Sequence, residues 1–406
     1  MGEHPTGEIP NAPIPVAGIA ALSFAAFASA ASLRVTDPSL TTIANTYDVS
    51  LNAASYAITA FALAYGMLQV VFGPAGDRFG KVRVIAWVCA VSSATSMLCA
   101  AAPTFATLLA ARALSGAAAA AIIPLAMAWI GDTVPYERRQ PVLARFLTGQ
   151  ILGVAGGAAL GGVTADHIGW RWAFVFLAAW YAIAWIVLLR VRRSLPPPVL
   201  VPHRPGQSVL AGMVTQMRQV AEHSWPRTIL AIVFLEGATL FGAFAFVATH
   251  LHRRYGVSLT QAGSIALMFG LGGLVFAAAS RQFVRRLGEA RMAATGAVLL
   301  GAGFLTVGLT PWPWLAPPAI FAAGLGFYLL HNTLQMQATQ MAPTRRGAAV
   351  SLFAFCYFFG QSLGVAFAGF LLQWFETGTV IALGGLGAML VGLRFFQLRL
   401  RRQTSA

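Results

Sequence analysis

Twelve long apolar stretches constrain the fold of this chain more than any other feature of its sequence. A helix that crosses the hydrocarbon core of a bilayer needs roughly 20 mostly apolar residues. Charged residues make up only 10% of the chain, whereas they make up about a quarter of a typical soluble domain. We therefore predict an all-α membrane protein with twelve transmembrane helices. Their approximate cores are residues 15–36, 53–72, 82–102, 104–130, 146–165, 170–190, 228–250, 260–280, 291–310, 316–340, 348–370 and 378–396.

Positive charge is distributed unevenly between the loops that join these stretches. If the N-terminus is cytoplasmic, the loops on the opposite side of the membrane hold only Arg171, Arg253 and Arg254. We call that side the arginine-poor face and the other side the arginine-rich face. The asymmetry follows the positive-inside rule and predicts that both termini are cytoplasmic. It also accounts for the net charge of +15, so we do not expect nucleic-acid binding.

The longest polar interruption separates the first six apolar stretches from the last six. This division predicts two six-helix bundles, one in each half of the chain, joined by a cytoplasmic loop. The predicted segments are a cytoplasmic N-terminal segment (1–14), an N-terminal bundle (15–190), a central loop (191–227), a C-terminal bundle (228–396) and a cytoplasmic tail (397–406).

The two halves share a common register. A shift of 208 residues places Tyr47-Asp-Val-Ser-Leu51 on Tyr255-Gly-Val-Ser-Leu259, and it places Gly80 on Gly288. Parallel repeats of six helices put the binding site near the middle of the membrane, between the halves. We therefore expect the two bundles to be related by a pseudo-twofold axis, with a site at their interface.

The segment Gly73-Pro-Ala-Gly-Asp-Arg-Phe-Gly-Lys-Val-Arg83 is a polar stretch between the second and third apolar stretches. We expect a tight hairpin at the membrane surface. Its spacing resembles the loop that joins helices 2 and 3 in the major facilitator superfamily of transporters. The resemblance implies a gate, in which Asp77 rests against the N-terminus of a helix from the other half and holds the cytoplasmic side shut. A positively charged turn without this role is the alternative. The predicted gating residues are Gly73, Asp77, Arg78, Gly80 and Arg83.

Other segments resemble the same family, over nearly the whole chain. Arg112 lies in a segment similar to the helix-4 arginine motif, and residues 342–347 resemble the loop before helix 11. The resemblance implies a secondary transporter of a bacterial inner membrane that works by alternating access. It is partial for drug–proton antiport, because Ala158 stands where the antiporter motif of helix 5 has a proline. The glycines that match that motif are Gly153, Gly157, Gly161 and Gly162.

Glu236 is a charged residue inside an apolar stretch, where a charge is costly unless it is paired or faces water. It lies about nine residues into the seventh stretch, which is roughly 13 Å along a helix. Burial disfavours the charged form of a carboxyl group, so Glu236 can be neutral in one state and ionised in another. We interpret it as a candidate proton carrier. A structural carboxyl that is permanently protonated, or that is bonded to a neighbouring helix, is the alternative.

Asp37 lies near the outer end of the first stretch, directly before Pro38, which ends a helix and frees carbonyl groups. Arg34 is three residues earlier on the same helical face, so the two side chains can pair. If the pair lines the outer mouth, Asp37 is a second candidate for proton coupling or gating. A solvated cap at the outer surface is the alternative.

Four further polar residues are candidates to line the substrate cavity together with Arg34. The resemblance implies that Arg112 faces this cavity, where its permanent charge can hold an acidic side chain or an anionic substrate. A structural salt bridge is the alternative. His331 and Gln335 share one face of the tenth stretch, with Asn332 beside them. A hydrogen-bonding role between helices is the alternative for this histidine.

No nucleotide-binding loop, catalytic constellation or set of metal ligands stands out in the sequence. We therefore expect neither an enzyme nor a protein with a metal or cofactor. The favoured function is proton-coupled efflux of small, partly hydrophobic compounds by a monomer, whose partners are the substrate, protons and the lipid bilayer. One alternative is transport of a specific metabolite such as an organic anion or a sugar. Another is a transporter-like membrane sensor or assembly factor.

Overall fold

A computed structural model describes residues 15–197, 209–342 and 345–404. Helices and short connections make up these residues, and the all-α prediction is confirmed. The predicted N-terminal segment, residues 1–14, lies outside the described residues, as do residues 198–208 of the predicted central loop.

The described part of the chain up to residue 197 contains eight α-helices, with one 3-10 turn, Asp37–Ser39, between the first two of them and another, Arg192–Ser194, after the last. The helices are α1 (Val16–Arg34), α2 (Leu40–Tyr47), α3 (Leu51–Phe79), α4 (Lys81–Ala101), α5 (Phe105–Ala119), α6 (Ile122–Thr133), α7 (Tyr136–His167) and α8 (Arg171–Val191).

The described part of the chain after residue 197 contains seven α-helices. The first of them lies within the predicted central loop. They are α9 (Val209–Ala221), α10 (Ser224–Phe244), α11 (Val247–Tyr255), α12 (Leu259–Leu309), α13 (Ala316–Gln340), α14 (Arg346–Leu371) and α15 (Thr377–Thr404).

These helices form twelve membrane spans. Eleven helical segments of the described residues are long and apolar enough to cross a membrane, and three of them are pairs of helices: α1 with α2, α5 with α6, and α10 with α11. The segment α12 has 51 residues, and a straight helix of that length would measure about 76 Å, far more than a bilayer core of about 30 Å. Gly288, with φ of 68°, breaks it into two spans.

The predicted repeat is visible in the backbone and in its hydrogen bonds. Gly80 and Gly288, 208 positions apart, both have positive φ (88° and 68°) and both separate two spans. The hydroxyl of Tyr47 donates to the carbonyl of Ala102 at 2.8 Å. At the positions 208 residues later, the hydroxyl of Tyr255 donates to the carbonyl of Thr310. Equivalent positions in the two halves therefore have the same backbone conformation and form the same hydrogen bond.

The predicted hairpin at residues 73–83 is shorter than we expected. The helix α3 continues through Phe79 and α4 begins at Lys81, so Gly80 alone leaves the helical conformation. A φ of 88° is available to glycine without the steric cost that a side chain would bring. The polar residues of this segment consequently occupy the ends of two helices rather than a loop.

The glycines of α7 allow it to approach two other helices. A methyl group added at Gly157 would overlap the carbonyl oxygen of Ala31 in α1. On another side of the helix, a methyl group at Gly162 would overlap the carbonyl oxygen of Leu259, where α12 begins. The glycine spacing therefore serves close backbone packing, both within the N-terminal half and between the halves.

The two halves meet through α7 against α12 and through α3 against α14. In the second pair, the hydroxyl of Ser362 donates to the carbonyl of Thr59 at 3.1 Å, and the Thr59 hydroxyl donates to the carbonyl of Ser362 at 3.4 Å. The contact of Gly162 with Leu259 lies where α7 ends and α12 begins, on the arginine-poor face. The halves are therefore in contact on that face.

Candidate functional site

Glu236 and His331 form a hydrogen-bonded pair between α10 and α13. The Nδ1 atom of His331 lies 2.8 Å from Oε2 of Glu236. The Glu236 side chain is fully buried, whereas that of His331 keeps 17% of its surface exposed. Among the described residues, Oε1 of Glu236 has no hydrogen-bond partner. The proton shared by the two groups can lie on the carboxyl oxygen of Glu236 or on the imidazole nitrogen of His331.

Aromatic rings surround this pair and separate it from the N-terminal half. The imidazole centroid of His331 lies 4.6 Å from the ring of Tyr357, 5.0 Å from that of Phe327 and 5.6 Å from that of Phe353. Phe241 lies 5.6 Å from Tyr357, measured between centroids. We call Phe241, Phe327, Phe353 and Tyr357 the aromatic layer. These aromatic rings provide an apolar, polarizable environment for the Glu236–His331 pair.

Arg34 and Asp37 form a second buried pair on the other side of the aromatic layer. Nη1 of Arg34 donates to Oδ2 of Asp37 at 3.3 Å, and their side chains are only 2% and 4% exposed. The guanidinium carbon of Arg34 lies 3.9 Å from the ring centroid of Phe241, in the opposite half of the protein. The predicted pairing is present, but the alternative of a solvated cap is wrong, because the chain continues past Asp37 as α2.

The structure thus brings four of the predicted site residues into one region. Phe241 contacts Arg34 on one side and Tyr357 on the other, and Tyr357 in turn contacts His331. The Arg34–Asp37 and Glu236–His331 pairs belong to different halves of the chain, so relative motion of the halves would change the contacts of the aromatic layer.

Arg112 lies inside the N-terminal half rather than at this site. Its Nε donates to the carbonyl of Ala57 at 3.0 Å, and its Nη2 donates to the carbonyl of Ser32 at 3.2 Å. The guanidinium also stacks on Phe61, with 4.3 Å between its carbon and the ring centroid, and the residue is 1% exposed. In this conformation Arg112 connects α5 to α1 and α3. Substrate contact through Arg112 stays a prediction.

The two polar neighbours of His331 differ in exposure. Gln335 is exposed, one turn from His331 toward the arginine-rich face, whereas Asn332 is half-buried, as His331 itself is. Gln335 is therefore the residue of this polar group that is most accessible to solvent.

The predicted gating residues surround a lysine that the sequence analysis had not included among them. Nζ of Lys81 lies 2.8 Å from a carboxylate oxygen of Asp77 and 2.8 Å from one of Asp132, at the end of α6. Arg78 and Arg83 are exposed on the same surface. Asp77 therefore pairs within its own half in this conformation, and its predicted contact with the other half stays a prediction.

Sequence reasoning also missed Asp166, next to the last residue of α7. Its carboxylate accepts the backbone N–H of Leu259 at 3.1 Å and that of Thr260 at 2.5 Å, where α12 begins. An available signal was its position, since an acidic residue in the last turn of a helix opposes the helix dipole. The position of Asp166 is explained by the two hydrogen bonds that it accepts at the N-terminus of α12.

The comparisons with known proteins agree with this arrangement. The family model of the Major Facilitator Superfamily matches residues 22–365. The MFS-type transporter YceJ of Bacillus subtilis is 28% identical over 351 residues, which are 83% of this chain and 84% of that protein. A multidrug resistance protein B homolog of Mycobacterium tuberculosis is 24% identical and aligns over 81% of this chain and 71% of its own length.

The fold has counterparts among solved structures. The crystal structure of the nucleoside transporter NupG superposes with a TM-score of 0.77 over 94% of this chain and 98% of that one, at 15% sequence identity. At this identity the likeness shows a shared fold. Twelve membrane spans in two related halves and a family match over most of the sequence lead to one conclusion: the chain belongs to the Major Facilitator Superfamily of membrane transporters.

Proposed function

We propose that this transporter exports small, partly hydrophobic compounds from a bacterial cytoplasm in exchange for protons, by alternating access. The proposal places the protein in the inner membrane as a monomer, with the arginine-rich face and both termini in the cytoplasm. One observation carries it: Glu236 is fully buried in a membrane span, hydrogen-bonded to His331, and enclosed by the aromatic layer.

A carboxyl in this setting fits proton exchange. Ionisation of Glu236 is costly in an apolar environment, unless water or a nearby cation compensates for it. His331 offers a partner that can carry the proton or the positive charge. A substrate with an apolar surface can contact the aromatic layer, which lies directly against the pair. Proton release from Glu236 and substrate binding against the aromatic layer then take place in the same small region and compete with each other.

An organic anion held by Arg112 has less support. The guanidinium already donates to two backbone carbonyls and stacks on Phe61. Arg34 is neutralised by Asp37 at 3.3 Å. We therefore favour efflux of uncharged or cationic amphipathic compounds over transport of an anionic metabolite.

Proton movement in vesicles tests the proposed function. The purified protein is reconstituted into liposomes that are acidic inside and contain a trapped pH dye, and lipophilic cations, antibiotics, sugars and organic acids are added outside. We expect release of protons from the lumen when an amphipathic compound is added. Acidification of a neutral lumen together with substrate entry would instead indicate symport and favour the metabolite alternative.

The gating prediction for Asp77 has its own test. If Asp77 leaves Lys81 to hold the arginine-rich face shut, Asp77→Asn should slow transport by about tenfold or more, because one hydrogen bond to a charged group is worth about 1.5–3 kcal/mol and about 1.4 kcal/mol is a factor of about ten. Substrate affinity should stay within about twofold of the wild-type value, because Asp77 lies outside the candidate site. Turnover and binding are measured separately in liposomes and in detergent.

A matched control comes from the second carboxylate on the same lysine. Asp132→Asn also removes an ion pair with Lys81, but it leaves Asp77 unchanged. We expect near-normal turnover for this variant. Equal turnover of both variants, whether slow or normal, would contradict a specific gating role for Asp77.

A further inference from the structure

The end of α7 and the beginning of α12 are joined by a side chain on the arginine-poor face. Asp166 is exposed, and its two carboxylate oxygens accept the N–H groups of Leu259 and Thr260 at 3.1 Å and 2.5 Å. Since α7 belongs to the N-terminal half and α12 to the C-terminal half, this contact bridges the two halves.

Asp166 completes the cap of α12. The first four N–H groups of a helix have no acceptor within the helix itself. Two of these four groups belong to a capping box: the N–H of Ser258 donates to Oε1 of Gln261 at 3.3 Å, and the N–H of Gln261 donates to the hydroxyl of Ser258 at 3.1 Å. The other two are the N–H groups of Leu259 and Thr260, and Asp166 accepts both of them. All four groups therefore have protein partners only while the halves are together.

The position of Asp166 is favourable for α12 and unfavourable for its own helix. A carboxylate is stabilised at the positive N-terminal end of a helix dipole and destabilised at the negative C-terminal end. Asp166 lies in the last turn of α7 and beside the first turn of α12. Its net electrostatic benefit therefore depends on the contact between the halves.

The two halves differ at the position of this carboxylate. The helix equivalent to α12 is α3, where Ser50 caps Ala53 as Ser258 caps Gln261. The residue 208 positions after Asp166 is Trp374, whose indole can donate a hydrogen bond but cannot accept one. The capping serine is thus shared by both halves, and the bridging carboxylate is found in one of them.

We infer that Asp166 is a positioning residue of the transport cycle, which latches the arginine-poor face shut and must release when that face opens. The inference rests on the alternating-access motion proposed above, but on neither the substrate nor the coupling ion. When the halves separate, water replaces the lost partners of both the carboxylate and the two N–H groups. The latch therefore biases the equilibrium between closed and open states without preventing the motion.

Distances between spin labels in nanodiscs test the latch. One label pair, at Ala106 and Arg253, lies on the arginine-poor face, and a second pair, at Arg138 and Arg285, reports motion on the opposite face. The labels are introduced into a background without Cys89, Cys99 and Cys356. We expect Asp166→Asn to raise the ratio of long to short distances at the first pair by about three- to tenfold, as the loss of charge-assisted hydrogen bonds at a surface implies.

Two further variants separate the latch from a general loss of surface charge. Glu376→Gln removes another carboxylate of the same face, whose side chain is 84% exposed, and should leave the distances unchanged. Thr260→Pro removes one of the two N–H donors, and proline is tolerated in the first turn of a helix. It should shift the distances in the same direction as Asp166→Asn, and the double variant should shift them less than the sum of both.

The outcomes distinguish the latch from the motion on which it depends. A wild-type distribution for Asp166→Asn at the first pair, while the second pair still reports two states, would overturn the latch and leave alternating access intact. A single unchanging distance at both pairs in every variant would overturn the latch together with the proposed motion. A shift in Glu376→Gln as large as that in Asp166→Asn would also reject a specific role for Asp166.

Discussion

Replacement of Glu236 by glutamine should abolish proton-driven transport and leave the protein folded. Glutamine has the shape of the protonated side chain and can still form a hydrogen bond with His331, but it cannot release a proton. Uptake driven by a pH gradient should fall to the level of protein-free vesicles. Thermal unfolding should stay within about 1 kcal/mol of wild type, because a buried hydrogen bond is preserved.

Exchange of labelled for unlabelled substrate provides the decisive comparison for Glu236→Gln. Such exchange requires alternating access but no net movement of protons, so we expect it to continue in the variant. Glu222→Gln is the matched control, since it removes a carboxylate that is 62% exposed, directly after the end of α9. Undiminished pH-driven transport by Glu236→Gln would show that Glu236 is a structural carboxyl. Loss of both exchange and pH-driven transport would place its role in substrate binding or folding.

The spans and the repeat could be predicted from the sequence because each depends on local chemistry. Long apolar stretches must become helices in a bilayer, where no water satisfies the backbone. The register of Tyr47 with Tyr255 and of Gly80 with Gly288 recurs in the structure as equal hydrogen bonds and equal backbone angles. These features are determined by residues close to each other along the chain.

The breaks within spans were harder to predict. Pro38 was taken to end the first span, yet the chain passes through a 3-10 turn and continues to Tyr47 as α2. A similar break separates α5 from α6 at Ala120 and Ala121, where Pro124 cannot donate to the carbonyl of Ala120 and its ring crowds that carbonyl. A proline thus marks both breaks, but whether the span ends there or continues as a second helix depends on packing against neighbouring helices, which the local sequence does not specify.

The composition of the candidate site was predicted more readily than its pairing. A buried charge is conspicuous in an apolar stretch, which identified Glu236, Asp37 and Arg34. The pairing of Arg34 with Asp37 was predicted because the two residues are three apart, whereas the pairing of Glu236 with His331 and the contact of Arg34 with Phe241 join distant segments. Asp166 was missed because a carboxylate at the membrane surface looks ordinary until the neighbouring helix is known.

The Arg34–Asp37 pair leads to the largest expected change in stability. Arg34→Met keeps much of the side-chain volume and the contact with Phe241, but it leaves the carboxylate of Asp37 buried without its cation. Removing one partner of a buried ion pair typically costs about 3–5 kcal/mol. We expect a loss of this size in the free energy of unfolding, measured by denaturant titration in detergent micelles.

Two comparisons identify the source of that loss. The double variant Arg34→Met/Asp37→Leu removes both charges and should regain most of the stability, since an apolar replacement of a buried pair is often neutral. Arg254→Gln breaks an exposed pair with Glu376, whose side chains are 42% and 84% exposed, and should cost less than about 1 kcal/mol. The penalty of Arg34→Met should also shrink as the pH falls, because protonation removes the unpaired charge of Asp37. If Arg34→Met costs no more than Arg254→Gln, the buried pair contributes no more to stability than a surface pair, and its role must then lie in transport.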